Sequence, residues 1–300
     1  MRRTAWCCDG VLRLVDDTAA LRVKMRVAAC RRLALTFEPP PPTLRAIRIM
    51  SEALSAKIAF VTGASRGIGR AIALKLAGAG CDVAFVYHNS HEEADAVCSA
   101  IRALGRRTLA LQADVSDPES IAEAFAVFRQ QFDRVDIVVS NAAIGVLRPA
   151  LELTLKHWRR CLETNALALN LLAQQSVPLM RDGGRIIALS SLGASRAIPH
   201  YAFIGASKAA LESVARSLAQ ELGQRGIRVN TVSAGVVDTD ALKYFPNREQ
   251  LLAEYARRTP AGPTLTPEDV ANAVYLLCLP EAAMITGHTL VVDGGYCISG

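Results

Sequence analysis

From Lys57 onward, short β-rich runs alternate with amphipathic helical stretches, and this alternation restricts the chain to very few architectures. Strands are expected at Ile58–Val61, Asp82–Tyr87, Thr108–Gln112, Ile137–Ser140, Arg185–Leu189, Arg228–Val232 and Thr289–Val292. Helices are expected near 67–79, 91–104, 118–132, 154–180, 201–223 and 267–279. Thr266-Pro267-Glu268-Asp269 has the chemistry of a helix start: an N-cap hydroxyl, proline in the first helical position, and carboxylates in the first turn. Strands separated by helices imply right-handed crossovers, so the expected fold class is α/β: one doubly wound parallel sheet of about seven strands with helices on both faces. Half of the residues are hydrophobic and only 5% aromatic, which suits a core of small aliphatic side chains between sheet and helices. The stretch 236–262, with Pro246, Pro260 and Gly262, has no strand partner and reads as a mobile excursion over a cleft.

Charge separates the chain into two parts. Residues 1–49 hold ten basic and four acidic side chains, which accounts for the whole net charge of +6, and the remaining residues carry twenty-four of each sign. The balanced part offers nothing to nucleic acid. Pro39 to Pro42 block both helix and strand in the first part. Three readings of residues 1–49 remain open: a disordered arm, a basic targeting peptide, or sequence upstream of a true start at Met50. Residues 50–300 then form the single globular domain. No apolar run reaches eighteen residues, so no membrane span is expected. The eight cysteines show no CxxC or Cys/His spacing for a metal and read as the reduced thiols of a cytoplasmic protein.

Val61-Thr62-Gly63-Ala64-Ser65-Arg66-Gly67-Ile68-Gly69-Arg70 lies between the first strand and the first helix. Glycines there let the backbone turn tightly and approach a pyrophosphate, while the helix N-terminus presents unpaired N–H groups. This marks the sheet as Rossmann-like and makes Gly63, Ser65, Arg66, Gly67, Ile68 and Gly69 candidate dinucleotide ligands. The second strand ends in Tyr87-His88-Asn89-Ser90, without the carboxylate that would repel a 2′-phosphate. With Arg66 and Arg70 nearby, NADPH is expected over NADH, although Arg66 as a solvated loop charge is the competing reading. Asp114, followed by Val115, either accepts from the adenine amino group or caps its own turn. Asn141-Ala142-Ala143 ends the fourth strand, and its small residues allow a flat ring to approach.

Tyr201 stands seven residues before Lys208. On a helix this spacing returns both side chains to nearly the same face, about 10 Å apart along the axis. Ile204, four before the lysine, has no proton to give. The pair reads as a proton donor set one turn further from its lysine than in the commoner Tyr-x3-Lys arrangement; a half-buried structural tyrosine is the alternative.

Together, TGxxxGIG at 62–69, NAA at 141–143, a serine before the Tyr/Lys pair and VDGG at 292–295 resemble the short-chain dehydrogenase/reductase family across about residues 55–298. The Tyr-x6-Lys spacing resembles enoyl-ACP reductases. Asn141–Pro149 and Asp238–Glu249 resemble the FabL type (enoyl-ACP reductase III), from which Asn89 departs where a basic residue would grip a 2′-phosphate. The resemblance implies NADPH-dependent reduction of enoyl-ACP or enoyl-CoA. Tyr201 would hydrogen-bond the developing enolate oxygen, and Lys208 would hold the nicotinamide ribose. Ser191, at the family's serine position, either takes part or only lines the pocket. Asn165 either organises a water near the lysine or binds a buried carbonyl. Gly235 and Val236 would meet the carboxamide, and Thr239 the phosphates. The implied partner is an acyl carrier protein, for which Lys156, His157, Arg159, Arg160 and Arg248 are candidate contacts, and the implied assembly is a homodimer or homotetramer. A 3-oxoacyl or other carbonyl reductase and a non-catalytic dinucleotide-binding protein are the competing functions.

Overall fold

The computed structural model describes residues 7–8, 11–12, 53–181, 183–239, 242, 248–262 and 265–299. The chain divides into two compact units, Met1–Pro41 and Pro42–Gly300. In the first, Cys7–Cys8 pairs antiparallel with Val11–Leu12. The Pro39–Pro42 run and the rest of residues 1–49 lie outside the described residues, as does most of the Asp238–Glu249 stretch, namely 240–241 and 243–247.

In the second unit, seven strands form one sheet: β1 (Ile58–Thr62), β2 (Asp82–Tyr87), β3 (Thr108–Gln112), β4 (Ile137–Ser140), β5 (Arg185–Ser191), β6 (Arg228–Ala234) and β7 (Thr289–Val292). Their order is β3-β2-β1-β4-β5-β6-β7, and every pairing is parallel. The order reverses between β1 and β4, so a crevice opens beyond their carboxyl ends. Each strand feeds both faces by simple alternation. Ala59 and Val61 pack with Val83, Phe85, Ile137 and Val139 on one side. Ile58 and Phe60 pack with Ala84, Val86 and Val138 on the other. Phe60 stacks on Phe125 at 4.4 Å between ring centres and meets the edge of Phe128 at 5.5 Å, anchoring the second layer.

The helices are α1 (Gly67–Gly78), α2 (His91–Ala103), α3 (Pro118–Gln131), α4 (Leu155–Leu162), α5 (Ala168–Ser176), α6 (Ala202–Leu222), α7 (Arg248–Arg258) and α8 (Pro267–Cys278). Helix α8 starts as its sequence implies, with Thr266 and Asp269 capping one another reciprocally.

Three expectations need correction. The single helix expected over 154–180 is interrupted by a π turn at Glu163–Leu167 and closes in a 3-10 turn at Val177–Leu179. Within that turn, the Asn165 side chain bonds both backbone groups of Ile144, an attachment outside its own helix. Helix α6 begins at Ala202, leaving Tyr201 at its N-cap with φ −114° and ψ 10°. His200 ahead of it is left-handed, at φ 61°, so the chain enters the helix through a turn. The excursion 236–262 contains α7, held by the fully buried Tyr255, whose hydroxyl donates to the Asp293 carbonyl at 2.8 Å.

Candidate active site

The glycine turn is fixed from both neighbouring strands. The N–H groups of Gly63 and Ala64 donate to the Val86 carbonyl at 2.8 and 3.2 Å. Thr62 Oγ1 accepts from the N–H groups of Asn141 and Ala142, each at 3.0 Å. The Asn141 side-chain amide donates to the Thr62 and Gly63 carbonyls at 2.9 and 3.1 Å. Asn141 therefore shapes the turn rather than offering this amide to a ligand. Gly63 is left-handed at φ 66°. A methyl group on Gly69 would lie 2.2 Å from the Gly63 carbonyl oxygen, so only glycine lets α1 approach the turn this closely.

Arg66 occupies the α1 N-cap position and supplies no side-chain cap. The first N–H groups of an α-helix have no intrahelical partner, and the helix start carries the positive end of the dipole. Thr239 stands next to Gly67, with its methyl carbon 3.7 Å from where a Gly67 Cβ would be. Of the residues expected to meet the phosphates, Gly67 and Thr239 are brought together here. Asn89 is exposed beyond β2, and the Tyr87-His88-Asn89-Ser90 segment itself brings no carboxylate to that strand end.

Other predicted ligands have different immediate partners. Asp114 Oδ1 accepts from the Ser116 N–H and hydroxyl at 2.9 and 2.6 Å, so this oxygen caps its own turn. Val115 is buried beside it in the core. The Gly235 N–H donates to the Val292 carbonyl, and a methyl group on Gly235 would meet the Tyr255 hydroxyl at 2.1 Å. Val236 is half-buried next to it. Asn165 is 1% exposed and its side chain is committed: Oδ1 accepts from Ile144 N at 2.8 Å, while Nδ2 donates to the Ile144 carbonyl at 2.9 Å and the Ser207 hydroxyl at 2.8 Å. The carbonyl-binding reading of Asn165 holds for its side chain.

Tyr201, Ser191 and Lys208 are placed where β5 ends and α6 begins. The Tyr201 hydroxyl donates to Ser191 Oγ at 3.2 Å, so Ser191 is a direct partner of the phenol. The Tyr201 ring lies against Gly193, where a Cβ would come within 2.5 Å of it. Burial pushes the Tyr201 hydroxyl above its ordinary value, against the opposing hydrogen bond to Ser191. Lys208 is 6% exposed and donates to the Leu189 carbonyl at 2.6 Å. Burial lowers its ammonium to about 8, and the Glu212 carboxylate pulls it back up. Ile204 is buried against Gly145, filling the place that a Cβ there would need, at 2.4 Å. A cleft of about 210 Å³ runs along the Tyr201 ring, lined by Gly193, Arg196, Ile198, Ala202 and Gly205.

Sequence reasoning missed Thr62, Tyr255, Ser190 and Glu212. Thr62 was visible inside the glycine motif, and Glu212 at one helical turn from Lys208. Ser190, whose hydroxyl donates to Glu212 at 2.6 Å, is apparent only from the fold.

A family model described as Enoyl-(Acyl carrier protein) reductase matches residues 63–297. The 1-cyclohexenylcarbonyl-CoA reductase of Streptomyces collinus is 40% identical over 244 residues, covering 81% of this chain and 87% of that protein. Hydroxynaphthalene reductase arp2 of Aspergillus fumigatus is 35% identical over 246 residues, covering 78% and 90%. A blue fluorescent protein from a metagenomic library, solved in complex with NADPH, has a TM-score of 0.76 at 37% identity over 81% of this chain and 99% of that one. A short chain dehydrogenase from Burkholderia cenocepacia J2315, solved in complex with NADP, has a TM-score of 0.76 at 38% identity, covering 82% and 99%. Likeness of this extent, on the same sheet and through nearly all of the second unit, makes the chain a member of the short-chain dehydrogenase/reductase family, matched by its enoyl-(acyl carrier protein) reductase model.

Proposed function

We propose that the protein is an NADPH-dependent reductase of the trans-2 double bond of an enoyl thioester, carried on acyl carrier protein or CoA, acting in fatty-acid elongation. The observation that carries this reading is the placement of the proton donor. The phenol at 201 reaches Ser191, while the position four before Lys208 holds a buried isoleucine against Gly145. The relative named 1-cyclohexenylcarbonyl-CoA reductase, a thioester enzyme by its name, supports the same class.

The cofactor fits the residues present. The uncapped start of α1, the close approach permitted at Gly69 and the lack of a carboxylate after β2 suit a dinucleotide with a 2′-phosphate. NADP(H) in two solved relatives agrees with this choice. Gly63, Ser65, Arg66, Gly67, Ile68, Gly69 and Thr239 would hold the phosphates and Lys208 the nicotinamide ribose. The bound cofactor supplies the hydride.

The protein's own part is electrostatic and positional. Reduction at the β-carbon leaves negative charge on the thioester oxygen, two carbons away. Tyr201 turns its single hydroxyl proton from Ser191 toward that oxygen as charge develops, and the Ser191 hydroxyl then donates to the phenol oxygen and fixes its direction. The Lys208 ammonium, one of whose protons is committed to Leu189, adds positive potential behind the tyrosine. The cleft beside the Tyr201 ring receives the acyl portion. Saturation is completed when the α-carbon takes a proton, delivered from solvent by way of Tyr201.

An acidic acyl carrier protein would dock on the exposed Lys156, Arg159 and Arg160 of α4 and on Arg248. His157 contributes less, because its ring accepts from the Thr154 N–H. A homodimer or homotetramer would cover exposed Leu155 and Trp158 on α4, and Met284 and Val291 near β7. Among the described residues no helix is long and apolar enough to cross a membrane, and a cytoplasmic site of action accords with the reaction.

A carbonyl reductase is the second reading. It is favoured by the Tyr201–Ser191 hydrogen bond, which could equally hold a ketone oxygen, and by the hydroxynaphthalene reductase relative. One assay separates them: NADPH oxidation with crotonyl and acetoacetyl thioesters, for the native protein and Tyr201→Phe. Faster turnover of the crotonyl ester is expected, with a loss of about 100-fold to 1,000-fold in the variant. Faster turnover of the ketone, or an unaffected variant, defeats the enoyl reading.

A further inference from the structure

Helix α6 carries a carboxylate that the chemistry above does not use. Glu212 stands one helical turn beyond Lys208, and its Oε1 accepts a 2.6 Å hydrogen bond from the buried Ser190 hydroxyl. Lys208 donates to the carbonyl of Leu189 at 2.6 Å. Leu189 and Ser190 are consecutive on β5, and Lys208 and Glu212 are consecutive turns of α6. The strand and the helix are thus tied by two parallel rungs, one cationic and one anionic. The next strand residue, Ser191, accepts from Tyr201.

A buried ammonium is costly unless a negative charge stands near it. The Leu189 carbonyl supplies a dipole only, and among the described residues no carboxylate comes within ion-pair distance of Lys208. Ionisable groups on the elements around α6 include Lys156, His157, Arg159, Arg160 and Cys161 on α4, Glu163 in the π turn, Arg185 on β5, Arg228 on β6, and Arg225 after α6. Tyr201 stands at its start. Glu212, one turn along α6 and tied to β5 at Ser190, is the carboxylate whose charge opposes the effect of burial on Lys208. Its anchor on Ser190 keeps the carboxylate against the strand instead of letting it swing toward solvent.

We propose that Glu212, held by Ser190, is a positioning residue that keeps Lys208 in its ammonium form at neutral pH. Lys208 can then hold the ribose hydroxyls and bias the Tyr201 hydroxyl. Importance for turnover rests on the function proposed above; the charge relation between the two side chains does not. Burial brings the Lys208 ammonium down to about 8 even with Glu212 present, and loss of the carboxylate should lower it further.

The test is a pH titration of the Lys208 side chain by NMR, on the full chain without cofactor, with ¹³C at the lysine ε-carbons and Lys208→Met for assignment. In Glu212→Gln the midpoint is expected to fall by about one pH unit, with recovery in Glu212→Asp and a smaller fall in Ser190→Ala. The alkaline limb of kcat/KM should move with it, to lower pH. A folded Glu212→Gln whose Lys208 midpoint is unchanged or raised overturns the proposal. Should Glu212→Gln fail to fold, Ser190→Ala decides, and an unshifted midpoint there overturns it as well. Inactivity of the native protein on enoyl thioesters would sink the proposed function and leave this titration standing.

Discussion

Burial takes the Lys208 ammonium from its ordinary 10.5 down to about 8, a difference worth at most about 3 kcal/mol at neutral pH. Its hydrogen bond to the Leu189 carbonyl returns about 1 kcal/mol of that. Lys208→Met is therefore expected to lose activity and to gain about 2 kcal/mol in denaturant unfolding at pH 7. The pH dependence follows from proton counting. Between about pH 8 and 10.5 the unfolded chain binds the proton that the folded chain has released, so native stability should climb across that window. Below it, the full cost of the buried charge is present. The methionine variant should lack the climb, and equal slopes for the two proteins would show that Lys208 is charged at no expense.

At the scale of elements, two glycines of α1 make opposite demands. A methyl group at Gly69 would strike the Gly63 carbonyl oxygen at 2.2 Å, whereas one at Gly78 would meet nothing within 4 Å. Gly69→Ala is expected to weaken NADPH binding at least about tenfold in a fluorescence titration, because it moves the helix start off the turn. Gly78→Ala should leave binding intact and stabilise the fold by up to about 1 kcal/mol. Equal effects of the two would argue against a phosphate cradle at this turn. The strands were legible because continuous apolar runs leave few alternatives, and α8 because its cap is written in four residues. The π turn in the α4–α5 stretch was not legible, since Asn165 bonds Ile144, twenty-one residues earlier. Helix α7 escaped because it buries little beyond Tyr255 and is flanked by prolines. The position of Tyr201 in sequence was informative, yet its exit from the helix depends on the left-handed His200.

For the molecule as a whole, the net charge and the parallel sheet belong to different parts of the sequence. Residues 1–49 carry the net +6, and the sheet starts at Ile58. A chain beginning at Met50 keeps Leu54, which is buried and donates its N–H to the Ala79 carbonyl. Such a chain should melt within about 4 °C of the full-length protein, the equivalent of about 1 kcal/mol. It should also lose retention on a polyanionic matrix, since its charges balance. A larger drop in melting temperature would mean that the first residues contribute to the second unit.

The seal between Ile204 and Gly145 makes the two positions depend on one another. A Cβ at 145 would stand 2.4 Å from the Ile204 side chain, so the room that the isoleucine fills is there because 145 is glycine. Any side chain at 145 would therefore push out what stands at 204, whereas a larger residue at 204 gains nothing more from a neighbour that has already given up its side chain.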